Sequence, residues 1–365
     1  MKKIVGIMAA AAIATSVFAA DIAAATKISG KLFDYDADKT LSLFTERNDS
    51  HDYAQPNFTM SISDDKAGAT VKITTNNYGG NTYSAPAVTT QTIWFKPVDA
   101  LKITVGDYDI ALNKEQIDWT ESKTALGGKG FLASVNVEGL GIDFGIEANE
   151  QYWIKKADGV DASLTPFFVK ASYGADFGTI GGFAKITLTA AQPAKDAVPG
   201  KGYYFDEETG TAKPNKGTDA VAAVDAKKDI LFGAGYRNNF SGVDAFLNVV
   251  ADLTEKLDWV RPELYAGGSA DAFGYQLFVA PLIYTNSDLN KDAECEVVAK
   301  VTYAMDGFTP YAYFKDANLL AKDFAATVKL GATGSVGAMG WNAWVQLDIA
   351  DKTAFSVPFE LTMSF

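Results

Sequence analysis

The chain has 365 residues, 48% hydrophobic and 12% aromatic, with 32 Lys plus Arg against 45 Asp plus Glu for a formal charge of −13. This acidity argues against nucleic acid and anionic lipid surfaces as partners. A lone cysteine, Cys295, leaves no internal disulfide to form, and no run of about 18 apolar residues follows the N-terminal segment, which excludes helical membrane spans.

Residues 1–20 read as a cleaved secretory signal. Lys2 and Lys3 start it, IVGIMAAAAIA is apolar but too short to span a bilayer, and Val17-Phe18-Ala19-Ala20 ends on small residues. No Cys follows for a lipid anchor. The mature chain is expected to begin near Asp21 as one domain, residues 21–365. Losing the two lysines and no acid takes the charge to −15.

From residue 27 onward the chain reads as amphipathic β segments. Residues 27–46 form one bulged first strand. The next are 56–64, 69–77, 88–96, 100–107, 129–138, 140–149, 163–174 and 178–189. The rest are 227–238, 242–251, 259–268, 271–284, 294–305, 307–315, 323–333, 338–348 and 353–365. Val71 and Ile73 oppose Lys72 and Thr74, and Leu101, Ile103 and Val105 oppose Lys102 and Thr104. Short Gly- or Asp-containing turns alternate with longer polar segments at 47–55, 78–87, 108–128, 150–162, 190–226, 285–293 and 316–322. That beat suits a transmembrane antiparallel up-and-down β-barrel with short periplasmic turns and long extracellular loops. The count is about 18 strands. A real turn at Tyr35–Lys39 would make it odd and force a merger, with 16 as the second choice. Either size leaves a water-filled lumen.

The chain closes on VPFELTMSF, which puts Phe359, Leu361, Met363 and Phe365 on one strand face and Pro358, Glu360, Thr362 and Ser364 on the other. This segment resembles the C-terminal assembly signal of bacterial outer-membrane proteins. The resemblance implies engagement of the barrel-assembly machinery, outer-membrane lipid around the barrel, and the outer membrane as location. With the signal and the strand-and-loop rhythm, the whole mature chain resembles the general bacterial porins.

Alternation also places Lys72, Lys102, Lys170, Lys185, Arg261, Lys300 and Lys329 opposite the apolar face, on the lumen wall. Charge facing lipid would cost roughly 2–4 kcal/mol per residue near the midplane. These groups either solvate the wall or bias which solutes cross. In general porins the third loop folds inward and sets acids against a basic wall. The resemblance implies this for residues 108–128, with Asp107, Asp109, Glu115, Asp118 and Glu121 as the constriction acids. The Pro-Glu-Phe-Gly-type motif of enteric porins is absent, so loop order and length alone carry the inference, and an ordinary external loop is the alternative.

The expected function is passive diffusion of small hydrophilic solutes and ions with a weak cation preference, needing no cofactor. The only histidine, His51, stands in the first long loop beside small polar residues and gives no case for catalysis. No Cys/His metal cluster and no phosphate-cradling loop is readable. Residues 190–226, around Tyr203–Glu208, read as an exposed surface loop. Trimer and monomer both stay open. The alternatives are a surface adhesin or antigen whose barrel only displays loops, and a secreted soluble β-protein.

Overall fold

The computed structural model describes residues 25–35, 41–45, 57–74, 77–78, 82–83, 87–113, 117, 123–124, 126–147, 163–189, 203–206, 211–214, 227–350 and 352–364. Residues 1–20, His51, Glu115, Asp118, Glu121 and Phe365 lie outside them. The first strands are β1 Ala25–Tyr35, β2 Leu41–Thr45, β3 Asn57–Ser63, β4 Ala67–Thr74, β5 Asn77–Tyr78, β6 Thr82–Tyr83 and β7 Ala87–Val98. There follow β8 Leu101–Tyr108, β9 Gly128–Val137, β10 Leu140–Glu147, β11 Ser163–Ala175, β12 Gly178–Thr189, β13 Tyr203–Asp206 and β14 Thr211–Pro214. Next come β15 Lys227–Phe240, β16 Val243–Leu253, β17 Leu257–Ala270, β18 Phe273–Tyr284 and β19 Glu294–Tyr303. The last are β20 Phe308–Asp316, β21 Ala326–Val336, β22 Met339–Ile349 and β23 Ala354–Ser364. No α-helix occurs among the described residues.

Nineteen strands form one antiparallel sheet, while β5 with β6 and β13 with β14 make two small hairpins. Each large-sheet strand from β3 to β23 pairs with its sequence neighbour in that sheet. The ring closes where β1 runs against β23, from Ala25 opposite Ser364 to Tyr35 opposite Phe355. Closure matters because an open edge would leave backbone N–H and C=O groups unpaired in hydrocarbon.

One expected strand is corrected. Residues 27–46 are not a single bulged strand but a hairpin, with Tyr35 opposite Leu41 and Lys31 opposite Thr45. The chain reverses between Tyr35 and Leu41, which stand opposite each other. A bulge does exist, at Leu32, between Lys31 and Phe33. Even parity survives because β2 and β3 run in the same direction and both contact β1. They share one place in the ring, so nineteen strands fill eighteen positions.

Register keeps like faces together around the ring. Leu247 stands opposite Leu264, which stands opposite Val279. Ile93 (61% exposed), Leu264 (47%) and Leu330 (59%) belong to the same outward face, and no second layer covers it among the described residues. Phe177, Phe240, Phe273 and Tyr303 are exposed near the short turns, with Phe273 edge-on to Tyr303 at 5.7 Å. Apolar band and aromatic rim are the pattern that a bilayer imposes. The short turns are fastened by side chains. At the β3–β4 turn Asp64 accepts from the amides of Lys66 and Ala67, both at 2.7 Å, which draws its carboxyl below the ordinary range.

Candidate functional site

The connection from β8 to β9 enters the barrel. Its neck is closed where Leu126 N donates to Ile110 O at 2.6 Å, and Thr124 Oγ1 donates to Asn113 O at 3.3 Å. Beyond the neck the chain meets strands well round the ring from its own base. Leu112 lies over β12 and β15, where a Cβ on Gly181 would come within 2.9 Å of Leu112 Cδ1. A Cβ on Gly235 would come within 2.8 Å of Asn113 Nδ2 and 3.1 Å of Leu112 Cδ2. Two glycines thus leave the notch that seats the loop.

Burial of apolar surface holds the loop from both sides. Tyr108, Leu112 and Leu126 pack with Leu132, Phe168, Phe183 and Val250. Ile117, near the loop tip, packs with Phe246, Tyr265, Phe278, Ala280, Val298 and Tyr313. Phe246 and Tyr265 are stacked at 5.1 Å. A segment rooted between β8 and β9 reaches side chains of β16 through β20 only by lying in the lumen.

Polar fixings reinforce the packing. Asn113 Nδ2 donates to Asn248 Oδ1 at 2.7 Å, and Asn248 Nδ2 donates to Glu263 Oε2 at 3.3 Å. Glu263 Oε1 accepts the backbone N–H of Lys123 at 2.7 Å. Glu263 is itself 0% exposed and lies 3.4 Å from Arg261, which reaches Glu296 at 2.7 Å. Lys315 approaches the same Glu296 at 3.4 Å. A buried carboxylate is tolerable only in such company, and removing it strands its partners. Glu263→Ala is therefore expected to cost about 1–3 kcal/mol through the unsatisfied Lys123 N–H and Asn248 amide. Urea unfolding monitored by heat-modifiable gel mobility checks this, and unchanged stability would mean the anchor carries no energy.

The wall is buried unevenly. Beneath the loop, inward-facing Asn248, Val250, Glu263, Phe278, Ala280 and Val298 are fully buried. Away from it, inward-facing Asn342, Gln346, Asp348 and Glu360 on β22 and β23, with Lys72 on β4 and Trp94 on β7, keep part of their surface exposed. On β22 and β23, inward-facing Trp344, Ser356 and Pro358 are buried.

All seven basic residues singled out from the sequence fall on the inward face by register. Lys170 pairs with Asp143 at 3.2 Å and Lys185 with Glu147 at 2.5 Å. Lys102 lies 4.7 Å from the Trp94 ring, Lys300 lies 5.5 Å from Tyr311, and Lys329 lies 5.2 Å from Tyr313 and 5.6 Å from Trp344. Of the acids, Asp107 belongs to β8 rather than to the loop, and its Oδ2 accepts from Gln91 N at 2.6 Å. Asp109 is exposed at the loop base. In the C-terminal strand Phe359, Leu361 and Met363 share the outward parity, opposite Ala343, Trp341 and Met339.

Asn113, Asn248, Glu263 and Glu296 were not singled out from the sequence. The parity that located the basic residues also places Asn248, Glu263 and Glu296 inward, but nothing in sequence tells which polar groups meet a loop.

No family model and no curated protein matches the sequence. Solved structures do. The outer membrane protein opdK from Pseudomonas aeruginosa aligns with a TM-score of 0.54 over 94% of this chain and 98% of that one, at 10% identity. This chain folds as an outer-membrane β-barrel. The outer membrane protein OprD of the same bacterium aligns at 0.51 over 95% and 94%, with 10% identity. Its OpdQ aligns at 0.51 over 95% and 97%, with 9% identity. At 9–10% identity the likeness lies in the fold alone.

Proposed function

We propose that the protein is a passive diffusion channel of the outer membrane, carrying small hydrophilic solutes and ions with a weak preference for cations. The observation that supports it best is a loop folded into a wide barrel without filling it. One side of the wall is sealed against the loop, and the other keeps polar side chains in contact with water. Solutes that retain most of their hydration need no energy source to pass. Export through residues 1–20 and assembly through the C-terminal strand belong to the same proposal.

The cation preference rests on acids of the third loop, Asp109, Glu115, Asp118 and Glu121, and on a net charge of −13, or −15 without residues 1–20. Purified protein in a planar bilayer is expected to give conductance steps of stable size. In a KCl gradient the reversal potential should have the sign of potassium selectivity. A potential of chloride sign would overturn the preference. Complete absence of steps would overturn the channel and favour a barrel that only displays its loops.

A further inference from the structure

The ladder between β17 and β18 is interrupted in mid-wall. Val260 is paired with Ile283 and Leu264 with Val279, in one unchanged register, but the three positions between them form no pairs. That register sets Pro262 opposite Pro281. Proline has no N–H to give, and in sheets it is ordinarily confined to edges and bulges. A closed ring has no edge. The ladders on the far sides, from β17 to β16 and from β18 to β19, run unbroken past both prolines. Both imide nitrogens therefore face the same seam, and the wall lacks two donors at one point.

The inserted loop is fixed on both banks of this seam. Next to Pro262, buried Glu263 accepts the backbone N–H of Lys123 at 2.7 Å. Next to Pro281, buried Ala280 packs in the cluster that holds Ile117. On the lumen side a side-chain strap stands in for the missing backbone bonds. Arg261 of β17 reaches over β18 to Glu296 of β19 at 2.7 Å. If the seam parts, Glu263 and Ala280 separate, and the loop cannot keep both Lys123 and Ile117 against the wall.

We infer that Pro262 and Pro281 form a yielding seam in the barrel wall, whose opening unseats the inserted loop and gives the channel a second, wider conductance level. The inference rests on the channel reading and adds a gate to it. Regions with few protecting hydrogen bonds open most readily. Here that weakness lies directly behind the loop's anchor.

Hydrogen exchange of the full-length protein in lipid nanodiscs reads the seam without conductance. The amides of Val260, Leu264, Val279 and Ile283 should exchange at least about tenfold faster than those of Phe246, Val250, Arg261 and Tyr265 in the neighbouring ladder. In bilayers the native channel should visit a wider level briefly and repeatedly. Pro262→Val with Pro281→Val restores both donors on a lipid-facing pair and leaves the lumen lining unchanged. It should slow exchange at the seam and cut visits to the wider level by about tenfold, the equilibrium worth of two net hydrogen bonds. Boiling-dependent gel mobility confirms folding first. Should the double variant not fold, Pro281→Val alone should cut the visits by about threefold. A variant lacking residues 110–126 should show one level only. Fast exchange at the seam without any conductance steps would overturn the channel reading and leave the yielding seam standing. Seam amides as protected as their neighbours, a single level in the native channel, or equal visits in a folded valine variant would overturn the inference.

Discussion

Removing residues 110–126, with Asp109 joined to Gly127, is expected to raise single-channel conductance by at least about twofold, because the lumen of an eighteen-position barrel is then limited by its wall alone. The loop supplies Leu112, Ile117 and Leu126 to two apolar clusters, and these hold it inside the bore. Its loss would bare Leu132, Phe168, Phe183, Phe246, Phe278 and Val298 to water. Lower stability should accompany the wider channel, visible as unfolding at lower urea. Folding would be confirmed first by the boiling-dependent shift in gel mobility. Unchanged conductance in a folded deletion variant would mean that the loop does not lie in the ion path.

The second large effect concerns the other face. Leu264 stands near the centre of β17 between Leu247 and Val279 and is 47% exposed. If hydrocarbon covers it, Leu264→Arg should cost about 2–4 kcal/mol, the penalty for a cation near the bilayer midplane. Asn342→Arg, on the inward face of β22 and beside the open lumen, should stay within about 1 kcal/mol because its charge remains hydrated. Urea titration of folding into lipid vesicles compares the two. Equal costs would mean that the Leu and Val rows do not face lipid, and the channel would have no membrane to cross.

Much of this architecture was legible in the sequence because a barrel in lipid allows little freedom. Two-residue alternation in segments such as 101–107 and 326–333 fixes both faces at once, although the second strand begins at Ala326 rather than at residue 323. Gly and Asp at the short turns fix where the chain reverses. The parity that assigned Lys72, Lys102 and Lys329 to the lumen is the same parity seen in the strand registers. The first hairpin was not legible because two amphipathic stretches in succession, Ala25–Tyr35 and Leu41–Thr45, also fit one long bulged strand. The pairing of Tyr203–Asp206 with Thr211–Pro214 was missed, since short strands of low alternation look like any polar loop.

The contacts inside the lumen were the illegible part. Gly235, Asn248 and Glu263 sit on three separate strands, and only ring closure brings them to one loop. The placing of Lys102 over the Trp94 ring likewise depends on how two neighbouring strands register. Sequence shows which side of the wall a residue takes, but not which residues from distant strands become neighbours across the bore.

The glycine notch under Leu112 has a consequence for how such a channel can change its bore. A methyl group added at position 235 would meet Asn248 Oδ1 first, the atom that accepts from Asn113, and so disturb the fixing that holds the loop to the wall. On the channel reading, a substitution in the wall beneath the loop would then alter the bore. Bulk behind the plug, rather than charge in front of it, would set the size cutoff.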